Sequence, residues 1–272
     1  MSIGTFTLVK NEKMWIGPHV MRVLPHVDQM VFFDGDSTDG TLEVIQHIIE
    51  NHADGDKIKL VKGADPKDLQ ESYVKIFNQC MQALTTDWAW FLHPDMWVEN
   101  PEAIKKAGEM EGVALSTNMK SYGGDPGGKL YEIKGRGESW KNIYRLRNPD
   151  LGAHYAGFYG SQMEDVYFSE ITGDSHEHYG SDFERYPYGV SDSGILLQHY
   201  SDVRPLARRL DRMKKCLKNQ GHPEGYIQSI AEVHPRVTLT NGAGFAFEEV
   251  EWPKEFKRHE EVFGKIIERA TH

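Results

Sequence analysis

The sequence predicts an α/β fold with a mostly parallel central sheet flanked by helices, and three observations predict it. Apolar runs of strand length, Ile3 to Val9, Gln29 to Phe33 and Asp87 to Leu92, alternate with stretches of helical periodicity. Each run ends in a polar or acidic corner: Lys10-Asn11-Glu12, then Asp34-Gly35-Asp36-Ser37-Thr38-Asp39-Gly40-Thr41, then His93-Pro94-Asp95. Strands that alternate with helices pair in parallel through right-handed crossovers. Corners at the carboxyl ends of such strands are where open α/β sheets bind ligands.

Taken in order, Ile3 to Val9 reads as a buried strand and Lys13 to Leu24 as a helix, with Pro18 near its first turns and Pro25 at its end. Thr38 or Asp39 can cap the next helix, whose apolar positions Leu42, Ile45, Ile48 and Ile49 recur at helical spacing. A third strand is expected from Lys57 to Val61. The next helix, from about Lys67 to Leu84, buries Val74, Phe77, Met81 and Leu84. Strand four is Asp87 to Leu92, and Val113 to Thr117 is a fifth. Tyr122 to Gly137 holds six glycines and one proline, which predicts a long loop, and a lid over a ligand is one use of such a loop. Ser139 to Arg147 and Gly194 to His199 read as strands, Arg204 to Leu217 as a helix with Leu206, Leu210, Met213 and Leu217 on one face, and Glu255 to Ala270 as a closing helix.

Composition narrows the classes. With 272 residues, 39% hydrophobic and 26% charged, the chain can bury one sizeable core, and no linker divides it. The expected organisation is therefore one domain, 1–272, with halves at 1–118 and 119–203 and a C-terminal helical extension at 204–272. A net charge of −10 argues against general nucleic-acid binding. No run approaches the length of a membrane span and no signal peptide is evident, so a cytoplasmic protein is expected, with peripheral attachment to a membrane surface left open. Cys80 and Cys216 read as structural thiols of a reducing compartment.

The three strand ends resemble the nucleotide-sugar half of family-2 glycosyltransferases with the GT-A fold. The residues that carry the resemblance are Asn11-Glu12 after the first strand, Asp34-x-x-Ser37-x-Asp39-Gly40-Thr41 after the second, and His93-x-Asp95 where the family places Asp-x-Asp. It covers residues 3 to 100 closely and the rest loosely. The resemblance implies a single GT-A domain that moves a sugar from a nucleoside-diphosphate donor, UDP- or GDP-linked, to a hydroxyl acceptor with inversion. The acceptor, a glycan, a lipid-linked molecule or a small molecule, is not legible. Asp34 would read the base, with Thr7, Val9, Asn11, Glu12 and Asp36 lining the nucleotide; Asn11 and Glu12 read equally well as holding their loop, and Asp39 as a turn acid. Asp95 would hold a divalent cation, with His199 and His93 as further ligands, and imidazole favours Mn²⁺ over Mg²⁺. His93 also reads as a packed residue, and His199 is one of thirteen histidines.

For the acceptor's proton the candidates are Asp165, then Glu177, then Glu164. Glu164-Asp165 resembles the family's acidic pair, and Glu177 lies in His176-Glu177-His178. Two histidines two apart could also bind zinc, though no cysteine pair accompanies them. The basic residues from Arg204 to Lys215 read as a solvated helix face or a holder of anions. The aromatics between Tyr155 and Tyr188 serve a core or a sugar platform equally well. Two rival classes remain. A nucleotidyltransferase lacks support because no Gly-rich basic loop follows the first strand. A non-catalytic sugar-nucleotide-binding module, with His93 marking a lost metal site, is separated from an enzyme only by turnover.

Overall fold

The computed structural model describes residues 1–63, 76–77, 79–112, 114–124, 128–145, 151–155, 166–170, 190–203, 223 and 246–270. Four short runs form the parallel strands: β1 (Ile3–Val9), β2 (Gln29–Asp34), β3 (Ile58–Lys62) and β4 (Trp88–Phe91). β1, β2 and β4 are almost wholly buried, which is why they read as continuous apolar runs rather than as alternation. The registers are parallel throughout: Gly4↔Gln29 to Val9↔Asp34, Met30↔Ile58 to Asp34↔Lys62, and Ile3↔Trp88 to Phe6↔Phe91. The order is therefore β3-β2-β1-β4.

Alternation along β1 sorts its side chains between two layers. Phe6 stacks on Phe91 with centroids 5.2 Å apart, and Phe77 stands edge-on to both. The other face lies under α1 (Lys13–Val23), whose His19 meets Phe32 edge-on. α2 (Thr41–Asn51) follows β2. After β4 come β5 (Met96–Val98), α3 (Ala103–Gly108), β6 (Ala114–Gly124), β7 (Leu130–Arg145), β8 (Leu151–Tyr155), β9 (Val166–Glu170), β10 (Val190–Val203), β11 (Ala246–Val250) and α4 (Lys254–Ala270). No helix among the described residues is long and apolar enough to cross a membrane.

The chain divides into two compact units, the first drawn from 1–118, 139–197 and 254–272, the second from 119–138 and 198–253. In the first unit the strand beside β4 is β7, antiparallel, with Trp88↔Arg145 and Trp90↔Ile143. α4 packs on α1 and α2 in the same unit, where the sequence placed a closing helix. In the second unit β11 pairs antiparallel with β7 from Ala246↔Lys134 to Val250↔Leu130. There Tyr200 lies against Tyr122 and Trp252, and the Trp252 Nε1–H donates to Gly128 O at 3.0 Å.

One expectation is corrected outright. Residues 122–137 do not form a long loop: β6 runs on to Gly124 and β7 starts at Leu130, so the glycine-rich segment is the bend and opening of two long strands. Gly124 has φ +149°, and a Cβ there would clash with Lys129 O, so the end of β6 requires glycine. Tyr131 and Ile133 favour strand, and the glycine count masked them. The helix expected from Lys67 is described only at its end, 76–83, and the segment 204–217 lies outside the described residues.

Gly17 of α1 faces α4 without room for a side chain: a Cβ there would clash with the buried ring of Phe263. Gly17→Ala is expected to destabilise the fold by about 1–3 kcal/mol, since overpacking displaces a core aromatic. Urea denaturation checks it, and a change below about 0.5 kcal/mol would show that α4 yields without cost.

Candidate functional site

The carboxyl ends of β1 and β2 meet at the register pair Val9↔Asp34, and the loops beyond them are tied together by backbone donors. Gly35 N–H prolongs the ladder to Val9 O at 3.0 Å. Asn11 N–H donates to Ser37 Oγ (3.0 Å), Thr38 N–H to Asn11 Oδ1 (2.8 Å), Glu12 N–H to Thr41 Oγ1 (2.8 Å) and Lys13 N–H to Asp39 Oδ2 (3.2 Å). Asp39 also accepts the Thr41 N–H at 3.1 Å. Asn11 and Asp36 hold left-handed backbone, φ +57° and +58°, a conformation that Asn and Asp tolerate better than other non-glycine residues. Asn11 and Asp39 thus act as staples between the two loops, the structural alternatives the sequence left open.

Asp34 differs from both. It is 3% exposed; its Oδ2 accepts the Ser37 N–H at 3.2 Å, and its Oδ1 is buried with no hydrogen-bond partner. Gly63 N–H, past the end of β3, donates to Asp34 O at 3.2 Å, so the backbone there is fixed from both neighbouring strands. Asp36 is exposed at the turn. Thr7 sits two residues inside the strand end, fully buried and paired with Phe32, and its Oγ1 also lacks a partner.

On the other side of β1, Leu92 N–H donates to Phe6 O at 3.2 Å and the chain then turns through His93-Pro94-Asp95, closed by Met96 N–H to His93 O at 3.1 Å. His93 is half-buried with its ring 4.6 Å from that of Phe91, and Asp95 is 4% exposed. The chain proceeds outward from β1 to β2 to β3 and then returns to β4 on the opposite side of β1, so the carboxyl ends of β1 and β4 flank a topological switch point. β2, which ends in Asp34, and β4, which leads into the turn of Asp95, run parallel with their axes about 10 Å apart, as two strand spacings require.

The sequence reading missed His19. It is 2% exposed on α1; its Nδ1 lies 3.3 Å from Met96 O, and its Nε2 is buried without a partner. Burial lowers its pKa to about 4; the Met96 carbonyl and Asp95 act against that shift, and His93 adds to it. The signal was its place in the buried stripe, four residues after Trp15 and three after Ile16. Cys80 is the inert thiol expected, its pKa raised by burial to about 12. His199 lies in β10, half-buried, within the second unit. Among the described residues no three His, Cys, Asp or Glu side chains form a metal-binding group. Glu164, Asp165, His176, Glu177 and His178 lie outside the described residues.

No family model matches this chain, and no curated protein matches it in sequence. Among solved structures it is similar to S. aureus TarS 1-349 in complex with UDP, at 14% identity and TM-score 0.31, over 47% of this chain and 37% of that one. The mannosyltransferase PcManGT from Pyrobaculum calidifontis, in complex with GDP-Man and Mn²⁺, is similar at 11% identity and TM-score 0.44, over 99% and 86%. Glucosyl-3-phosphoglycerate synthase from Mycobacterium tuberculosis, in complex with Mn²⁺, UDP and glucosyl-3-phosphoglycerate, is similar at 19% and 0.31, over 47% and 45%. These are likenesses of fold, and at such identities and scores none of them assigns an activity to this chain.

His19 makes stability depend on acidity. Between about pH 6.5 and pH 4 the unfolded chain takes up a proton that the folded chain refuses, so stability falls as pH falls through that window, by about 3 kcal/mol in full. His19→Asn removes the titrating group, and its denaturation free energy should fall less steeply between pH 7 and pH 4 than that of the wild type. Parallel slopes for the two proteins would overturn the assignment.

Proposed function

We propose that this chain is a glycosyltransferase that takes a sugar from a nucleoside-diphosphate donor and passes it to a hydroxyl acceptor. The observation that carries the reading is the buried Oδ1 of Asp34, left without a hydrogen-bond partner at the carboxyl end of β2, one strand away from the topological switch point between β1 and β4. A carboxylate oxygen of this kind selects a ligand that brings an N–H donor, which the imide of uracil or the amide edge of guanine supplies. The stapled Asn11 and Ser37–Thr41 loops present it without further ordering on binding.

A divalent cation fits the turn after β4, because Asp95 offers a carboxylate and His93 an imidazole two residues away, a mixed oxygen and nitrogen set that suits Mn²⁺ better than Mg²⁺. When bound, such an ion offsets the charge that develops on the departing diphosphate. The base that takes the acceptor's proton is assigned by resemblance to Asp165, with Glu177 and Glu164 behind it, and the same resemblance brings His199 into the ligand set. The nature of the acceptor stays open.

Calorimetric titration of the full chain with UDP and with GDP, each with and without Mn²⁺, tests the reading. One nucleotide is expected to bind, more tightly with Mn²⁺, and Asp34→Asn should weaken it by about 10- to 100-fold, the loss of a charged hydrogen bond. A donor-hydrolysis assay on the nucleotide that binds then separates an enzyme from a binding module. Absence of binding by both nucleotides, or equal affinity in Asp34→Asn, would defeat the assignment.

A further inference from the structure

His19 and Arg22 lie three residues apart on α1, hence on one face. Both reach backbone carbonyls just beyond Asp95. His19 Nδ1 is 3.3 Å from Met96 O, and because a carbonyl only accepts, the proton sits on Nδ1. Arg22 donates from Nε to Val98 O and from Nη2 to Glu99 O, both at 2.8 Å. The guanidinium is itself fixed: it pairs with Glu255 and lies 4.9 Å from the Trp97 ring centroid.

The Met96 and Val98 carbonyls belong to β5, the terminal strand of the sheet order, and Glu99 follows it directly. Glu99 N–H donates to Leu196 O of β10 at 2.9 Å, so alternation turns the Met96 and Val98 carbonyls to the opposite edge. Side chains of α1 meet them there. Met96 is held twice, by its carbonyl to His19 and by its N–H to His93 O, and the second bond closes the turn that carries Asp95.

We propose that His19 and Arg22 are positioning residues that hold the outer edge of β5 and so fix the His93-Pro94-Asp95 turn, setting the Asp95 carboxylate at the switch point between β1 and β4. The proposal rests on the reading above that Asp95 serves the cation of a sugar-nucleotide donor. His19 has the rigidity the role requires, being buried and packed edge-on against Phe32 of β2. Arg22 adds a two-pronged grip that a lysine ammonium cannot reproduce.

The test uses the full chain as wild type, His19→Leu (volume without a donor), His19→Asn (a donor near the Nδ1 position), Arg22→Lys and Asp95→Asn. Two readouts are taken: amide hydrogen exchange over 95–99 against that of β1 and β2, and Mn²⁺ affinity from the free-ion paramagnetic resonance signal with UDP or GDP present. His19→Leu and Arg22→Lys are expected to accelerate exchange at 95–99 while β1 and β2 keep their protection, and to weaken Mn²⁺ by about 10- to 100-fold, as loss of outer-shell support does elsewhere. His19→Asn should retain Mn²⁺ affinity within about threefold of the wild type, because it keeps the donor. If His19→Leu loses protection throughout β1 and β2, Arg22→Lys and His19→Asn carry the comparison. Unchanged exchange at 95–99, or undiminished Mn²⁺ affinity in the folded variants, overturns the proposal. Equal Mn²⁺ binding by wild type and Asp95→Asn instead defeats the reading of Asp95, and exchange alone then judges the clamp.

Discussion

The parallel ladder that joins β1 to β2 on one side and to β4 on the other is the constraint on which everything else depends. It directs the loops after residues 9, 34 and 91 to the same end of the sheet, and the return of the chain across β1 makes the β1–β4 boundary a topological switch point. Burial enforces the ladder: β1 and β4 are packed on both faces, and a one-residue slip would exchange Phe6 for Thr5 and Thr7 against Phe91 and Phe77. The placement of the candidate residues along their strands and turns is thus a consequence of register.

At that end the loops are ordered largely by hydrogen bonds to backbone, and several of its polar side chains are engaged in holding them. Asn11, Ser37, Asp39 and Thr41 each accept backbone N–H groups from a neighbouring loop or turn. Asp34 is the exception. A buried acceptor left unsatisfied costs about 1–3 kcal/mol, and a chain with several hydroxyl and amide side chains nearby had ready means of filling it. In the proposed function that expense is what a nucleotide's N–H donor would offset.

What the sequence made legible follows the same physics. Val31-Phe32-Phe33-Asp34 could be read because a strand buried on both faces is a solid apolar run, and its abrupt end in an acid has few structural explanations. The bounds of α1 were legible to within one residue of Lys13–Val23, and the apolar positions read for α2 fall inside Thr41–Asn51, although the residue before its first turn is Gly40, in left-handed backbone, rather than the expected Thr38 or Asp39. β5 was not, because three residues, Met96–Val98, carry no period at all. The β6–β7 pair was misread because glycine composition was weighed above the strand-favouring Tyr131 and Ile133 beside it. His19 was invisible as a polar residue of interest because its position is that of a core residue, and only the carbonyl it meets gives it a role. Residue type located the acids; the partners that decide between staple and site are tertiary, and no local pattern encodes them.

Charge supplies the last link between fold and proposed chemistry. The chain is acidic overall, and the loops after β1, β2 and β4 bear Asp34, Asp36, Asp39 and Asp95, so in the proposed function a diphosphate would meet local negative charge. Two carboxylates after β4 would match a divalent ion's charge and leave little to attract phosphate. One carboxylate with an imidazole, which carries no charge when it ligates, leaves the ion a net positive charge to offer the donor. His93 in place of a second acid is therefore consistent with a site tuned to take ion and nucleotide together. The same substitution makes the site weak without the nucleotide, since a single carboxylate and one nitrogen leave most of the coordination sphere to water and phosphate oxygens. Holding Asp95 still matters more in such a site than in one with ligands to spare, which is the reason a buried histidine and an arginine would be committed to the backbone just beyond it.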